Sequence, residues 1–167
     1  MRVYIPATLA MLTRLVADGA LRATSGTAFA VTPALREAYS HGGDDELAEV
    51  ALGEAALASL RLLATADDTV PTRRAVLVAD IAGPDGPTVR PDLDHAVVRL
   101  AGPVTIAEVI AAYVDTAAAE PAVAAAVAVI DLADLGDEDA ELTVGDAQDH
   151  DLAWYATQEL PFLLELL

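Results

Sequence analysis

Asp149, His150 and Asp151 stand together near the C-terminus, and Trp154, Tyr155, Gln158 and Glu159 follow closely. Read as one helix, His150, Trp154 and Gln158 fall four apart on one face, with Asp151, Tyr155 and Glu159 on the next. An imidazole, an indole, a phenol and carboxylates side by side can recognise a partner, because Trp and Tyr are frequent interface anchors. The plainer reading packs Trp154 on a sheet, satisfies His150 with a nearby carbonyl and leaves the acids at a helix start. An indole is, on average, highly buried.

Asp137, Glu138, Asp139 and Glu141 offer the hard oxygen ligands that calcium and magnesium take. Their spacing fails the EF-hand pattern, since no glycine stands at the sixth position. Asp92, Asp94 and His95 form a second group, which reaches a mixed site with His150 only if folding gathers them. No metal is therefore expected. The 131–141 segment reads as a solvated acidic loop, with Asp137, Glu138 and Asp139 as further candidates for partner contact.

Catalytic chemistry finds little purchase. Ser25, Ser40 and Ser59 lie in no G-x-S-x-G elbow, and Ser40-His41 are neighbours in a loop. Neither the phosphate-cradling nor the dinucleotide glycine motif is present. The chain has no lysine for a Schiff base and no cysteine for a thiolate, disulfide or cysteine-based metal site. A carboxylate pair such as Asp80 with Asp115, each near a strand end, could serve acid and base roles. Strand-end turns and caps are the simpler assignment for both. Arg36, in a short helix after a strand, is a candidate anion site, because helix starts offer backbone donors. Arg36 and the Arg73-Arg74 pair are otherwise expected to be consumed by internal carboxylates. No cofactor is expected.

Charge bounds the partners. Acids number 27 against nine basic residues, all arginine, for a net charge of −18. Beyond residue 100 there are 14 acids and no arginine or lysine. Such a field repels phosphate backbones and anionic headgroups, so direct nucleic-acid or membrane binding is disfavoured. It serves solubility, or it attracts a basic protein partner or a cation. The N-terminal MRVYIPATLAMLTRLVADG is broken by Pro6 and Arg14, which suits a strand and helix better than a signal peptide. The longest apolar run, Ala122 to Ile130, falls far short of the roughly 20 residues of a membrane span. A soluble protein in a reducing cytoplasm is expected.

The elements that would position these groups begin with TAFAVTPALREAY, residues 27–39. Ala28–Val31 is an apolar run of strand length, Thr32 a helix cap, and Pro33 a residue suited to the first helical position. Before it, RVYIP makes a strand ending at Pro6, Thr8 caps a helix with Leu9, Leu12 and Val16 on one stripe, and Gly19 closes it. Residues 20–26 read as a loop. SHGG at 40–43 breaks the chain before a long helix over about 45–65, started by Asp44, Asp45 and Glu46 and closed by Asp67, Asp68 and Pro71. RRAVLVADI, residues 73–81, is a central strand buried on both faces. GPDGP at 83–87 is a turn, and His95–Leu100 a further strand.

Thr105 and Glu108 match a capping box, but Val109, Ile110, Tyr113 and Val114 favour a strand over 109–114, which is the reading adopted. Glu120 is pushed from α geometry by Pro121, so a helix begins near Pro121 and runs to about 131. Glu141–Val144 alternates like a last strand. Asp146 then caps a final helix over 147–160, halted by Pro161.

AFAVTPALREAY, EVALGEAALASLRLLA, RRAVLVADI and DAQDHDLAWYATQELPFLL together resemble a family of small acidic actinobacterial proteins of unknown function. The resemblance covers most of the chain. It implies a cytoplasmic globular protein with intermixed strands and helices, and it carries no activity, ligand or catalytic residue.

The expected fold is α+β, with α/β as the alternative. It would be a single domain over 1–167, a two- or three-layer sandwich of about five to six strands and four to five helices. The expected function is a non-enzymatic acidic adaptor or regulator that binds a protein partner or self-associates. The alternative is a small enzyme or ligand-binding domain with a pocket at a sheet end, built from Arg36, Asp80, Asp115 or His150.

Overall fold

The computed structural model describes residues 1–66, 71–83 and 86–167. Nine strands and six α-helices are placed among them: β1 (Arg2–Ala7), α1 (Leu9–Asp18), β2 (Ala20–Leu21), β3 (Thr27–Phe29), α2 (Pro33–Ala38), α3 (Asp44–Thr65), β4 (Ala75–Asp80), β5 (Thr88–Val89), β6 (Val97–Arg99), β7 (Val104–Thr105), β8 (Val109–Val114), α4 (Glu120–Asp134), α5 (Glu138–Gln148), β9 (Ala153–Ala156) and α6 (Leu160–Glu165). Seven strands form one sheet in the order β5-β6-β3-β1-β4-β8-β9, and β2 pairs with β7. Every pairing among the described residues is antiparallel. The class is α+β, and the α/β alternative falls with the strand directions.

The expected count of elements is corrected upward. Three of the strands, β2, β5 and β7, have two residues each, too short to leave any alternation in the sequence. The 20–26 loop in fact holds β2. Asp67, Asp68 and the tip of the 83–87 turn lie outside the described residues.

Both faces of the sheet are covered, which explains the unbroken aliphatic run of β4 in an antiparallel setting. Val3, Ile5, Leu77 and Val114 meet Leu12 and Leu15 of α1 and Leu160 of α6 on one side. Tyr4, Val76, Val78 and Ala111 meet Leu47, Ala51 and Ala55 of α3 on the other. Leu60 on α3 packs with Val123, Ala126 and Ile130 of α4 and Val144 of α5 in a third cluster. Among the described residues, no helix is long and apolar enough to cross a membrane.

The N-terminal half follows its local chemistry closely. The Thr8 hydroxyl accepts the Met11 N–H at 3.2 Å, and Gly19, at φ 76°, ends α1. The Thr32 hydroxyl accepts the Leu35 N–H at 3.1 Å and donates to the His95 carbonyl. Pro6 does not end β1, since it pairs with Val76 inside the ladder. Thr105 and Glu108 bond to each other without a helix. The Thr105 N–H and hydroxyl both donate to Glu108 Oε1, closing a turn that delivers the chain into β8.

The C-terminal third departs further from its local chemistry. Residues 131–141 are not a loop but the junction of α4 and α5. Gly136, at φ 93°, closes α4: its N–H donates to Ala133 O and that of Asp137 to Leu132 O, both at 3.0 Å. The Asp137 side chain then accepts the Ala140 N–H at 2.9 Å, so one residue closes a helix and caps the next. Glu141–Val144 is helical, because Ala140, Val144 and Ala147 form a buried stripe at helical spacing. The expected helix over 147–160 is replaced by the end of α5, then β9, with α6 after it. Pro161 stands in the first turn of α6, where its missing N–H costs nothing, so it starts a helix instead of halting one. Likewise Glu120, with φ −52° and ψ −46°, is already helical ahead of Pro121.

Candidate functional site

Arg74 and Asp115 meet where β4 starts and β8 ends. The Asp115 N–H donates to Arg74 O at 3.1 Å, so the antiparallel ladder sets the two side chains opposite each other. Asp115 Oδ2 accepts the Arg74 backbone N–H at 2.7 Å and Nε at 2.9 Å, and Oδ1 accepts Nη2 at 2.7 Å. The guanidinium also donates through Nη1 to Gln148 Oε1 and through Nη2 to the His150 carbonyl, each at 2.9 Å. Gln148 donates in turn to Gly53 O at 3.1 Å. The two charged side chains are 1% and 0% exposed. A planar fork suits this task because it satisfies several acceptors at once. It binds α3, β4, β8 and the end of α5 into one junction.

Beside that junction lies a cleft of about 450 Å³, bordered by Glu49, Leu52, Tyr113, Gln148, His150 and Asp151. Arg74 also borders it, yet its charge is spent on Asp115. Glu49 and Asp151 therefore leave the mouth negative. Tyr113 pairs directly with Trp154 across β8 and β9, which puts both aromatic side chains on the cleft side of the sheet. Trp154 is 57% exposed, so the packed-indole reading does not describe it. A slightly larger hollow of about 480 Å³, between Ile81 and Val104, has Glu108 as its one ionisable lining group among the described residues, and Thr105 holds that carboxylate.

The other sequence candidates are dispersed. His150 and Asp151 join the cleft, and Trp154 adjoins it. Tyr155 packs toward the opposite face of the sheet, while Gln158 and Glu159 lie beyond β9. They share no helix face. Asp137, Glu138 and Asp139 form the cap and first turn of α5. Arg36 pairs with Asp44 at 2.6 Å, and Arg73 with Glu120 at 3.0 Å. Asp80 pairs with Arg2 at 3.0 Å, at the end of β4 remote from Asp115. Six residues of strand part the two carboxylates by about 20 Å, so they form no acid–base pair. Asp92 pairs with Arg90, and no cluster of three or more metal-ligating side chains forms among the described residues. Glu49, Tyr113 and Leu152 carry no sequence signal of their own. Only register and helix phase reveal them.

Glu54, on α3, is a further ionisable group held in an unfavourable setting. Burial, and then the charge of Asp94, push its carboxyl above the ordinary 4.5. The folded chain thus holds this proton more tightly than the unfolded one, so the group favours folding at low pH. That contribution is lost as pH rises through the folded value. Glu54→Gln is therefore expected to raise the melting temperature at neutral pH. The gain should shrink as pH falls below 4.5, which thermal melts across pH will read.

No curated protein and no solved structure matches the chain. A family model matches residues 1–164, nearly the whole length, and the chain belongs to that family, the family of unknown function DUF6912.

Proposed function

We propose that this is a cytoplasmic, non-enzymatic adaptor or regulatory protein that binds a basic protein surface through the cleft beside Arg74. The observation that carries the reading is the charge at the cleft. Its buried cation is neutralised by Asp115, while Glu49 and Asp151 stay without a counter-ion among the described residues. The rest of the C-terminal third adds acids and no bases. Complementary charge steers encounter and selects partners, and it makes association sensitive to salt. The absence of cysteine fits a reducing compartment, and acidity shared across an actinobacterial family belongs to the same reading.

Affinity purification at low and high salt, followed by mass spectrometry, is the test. A basic partner should be recovered at low salt, released at high salt, and lost with Glu49→Gln/Asp151→Asn. It should survive Glu138→Gln/Asp139→Asn, which removes the same charge at the start of α5. Loss with the second variant and retention with the first would refute the cleft as the binding site.

The cleft volume also lies within the range of small-molecule pockets, about 300–1,000 Å³. A small organic cation is the ligand that its charge would select. A rise in melting temperature with spermidine, abolished by Glu49→Gln, would favour this second reading.

A further inference from the structure

The open edge of the sheet borders the same cleft, and its backbone is aimed outward. Asp115 and Tyr113 turn their backbone groups toward β4, so Val114 and Ala112 turn theirs toward β9. Ala153 and Tyr155, opposite Val114 and Ala112, are therefore the bonded residues of β9. Trp154 lies between them in a non-bonded pair with Tyr113, and its N–H and C=O point away from the sheet. Ala156 confirms the alternation, since its outward N–H is taken by Glu159 Oε1 at 3.0 Å. Among the described elements, β9 stands at the end of the sheet with β8 as its strand partner, and Trp154 at its centre is largely exposed. Edges left open in this way are ordinarily blunted or paired.

We infer that β9 receives an extended basic segment of a partner as an eighth strand, with Trp154 at the centre of the contact. The inference rests on the reading of the protein as an acidic binder and supplies the mode of binding. Strand addition takes its affinity from main-chain bonds and its specificity from alternate side chains. Here the alternate side chains on one face of the incoming strand fall on the indole and along the mouth lined by Glu49 and Asp151. Arginine or lysine suits both places, stacking on the indole and meeting the carboxylates. A second copy of this chain suits neither. It would set two bodies of net charge −18 edge to edge, with Asp149, Asp151 and Glu159 near the seam.

Trp154 is the single tryptophan, so its fluorescence reports this edge alone. The probe is a peptide of about six residues alternating arginine and threonine, the length of an ordinary strand. Its control carries N-methyl groups on alternate amides, which keep the charge and block pairing. The unmodified peptide should shift the Trp154 emission and slow exchange of the Trp154 amide at least about tenfold, and the methylated one should bind about tenfold more weakly. Equal binding of both peptides would overturn strand addition and leave the acidic-binder reading standing. Failure of both to bind at low salt would overturn the two together. Slowing of the Trp154 amide with protein concentration alone would assign the edge to a second copy, against the inference.

Discussion

Asp115→Ala is expected to destabilise the protein by about 3–5 kcal/mol, the usual result of removing one partner from a buried ion pair. For a chain of this length that corresponds to a fall of roughly 10–15 °C in melting temperature. The cost comes from what remains. Arg74 would keep its charge at 1% exposure, with Nε, one bond of Nη2 and its own backbone N–H all without acceptors. Arg74→Lys should also be costly, because an ammonium cannot span Asp115, Gln148 and the His150 carbonyl together. The double variant Arg74→Met/Asp115→Leu separates this account from simple loss of packing. Apolar replacement of a whole buried pair is often neutral, so the double variant should recover most of the stability lost in Asp115→Ala. Equal destabilisation in both would show that the bonds to Gln148 and His150, and not the stranded charge, hold the junction. Because Arg74 borders the cleft, its charge, no longer neutralised in Asp115→Ala, should weaken binding of a basic partner even where the protein stays folded.

How much of this was legible follows from how far each signal reaches along the chain. Caps at Thr8 and Thr32 act over three residues, and both read correctly from residue types alone. The β-branched run of 109–114 outweighed the capping pair ahead of it, since Thr105 and Glu108 satisfy each other in a turn as well as in a helix. The failures occur where a short window carries two periods. Glu141–Val144 alternates over four residues, and only Ala140 and Ala147 on either side disclose the helical stripe. Residues 149–159 read as a helix because their chemistry repeats every four. The bend after Gln148 and the pairing of Ala153–Ala156 with β8 depend instead on contacts about forty residues away in sequence. The Arg74–Asp115 clamp is non-local in the same sense. Pairing of the arginines was expected, but their partners are set by strand register. Charge was legible throughout, and it underlies the functional proposal.

Ser59→Ala tests another long-range device, one with no sequence signal. From the middle of α3, the fully buried Ser59 hydroxyl donates to Ala7 O at 2.7 Å and accepts the Ala75 N–H at 3.1 Å. Ala7 and Ala75 are register partners at the end of the β1–β4 ladder. One oxygen therefore carries the link between the two central strands and fastens α3 across them. Removing it leaves a buried donor and a buried acceptor unpaired, each costing about 1–3 kcal/mol. The expected loss is about 2–4 kcal/mol, with only a small cavity to offset by relaxation. Denaturant unfolding gives the total, and hydrogen exchange gives the location. The Ala75 amide should exchange faster in Ser59→Ala, while amides of α1 and α4 should change only with global stability. An unchanged Ala75 amide in a destabilised variant would mean that the strands bond directly once the hydroxyl is gone. The serine would then act through packing alone.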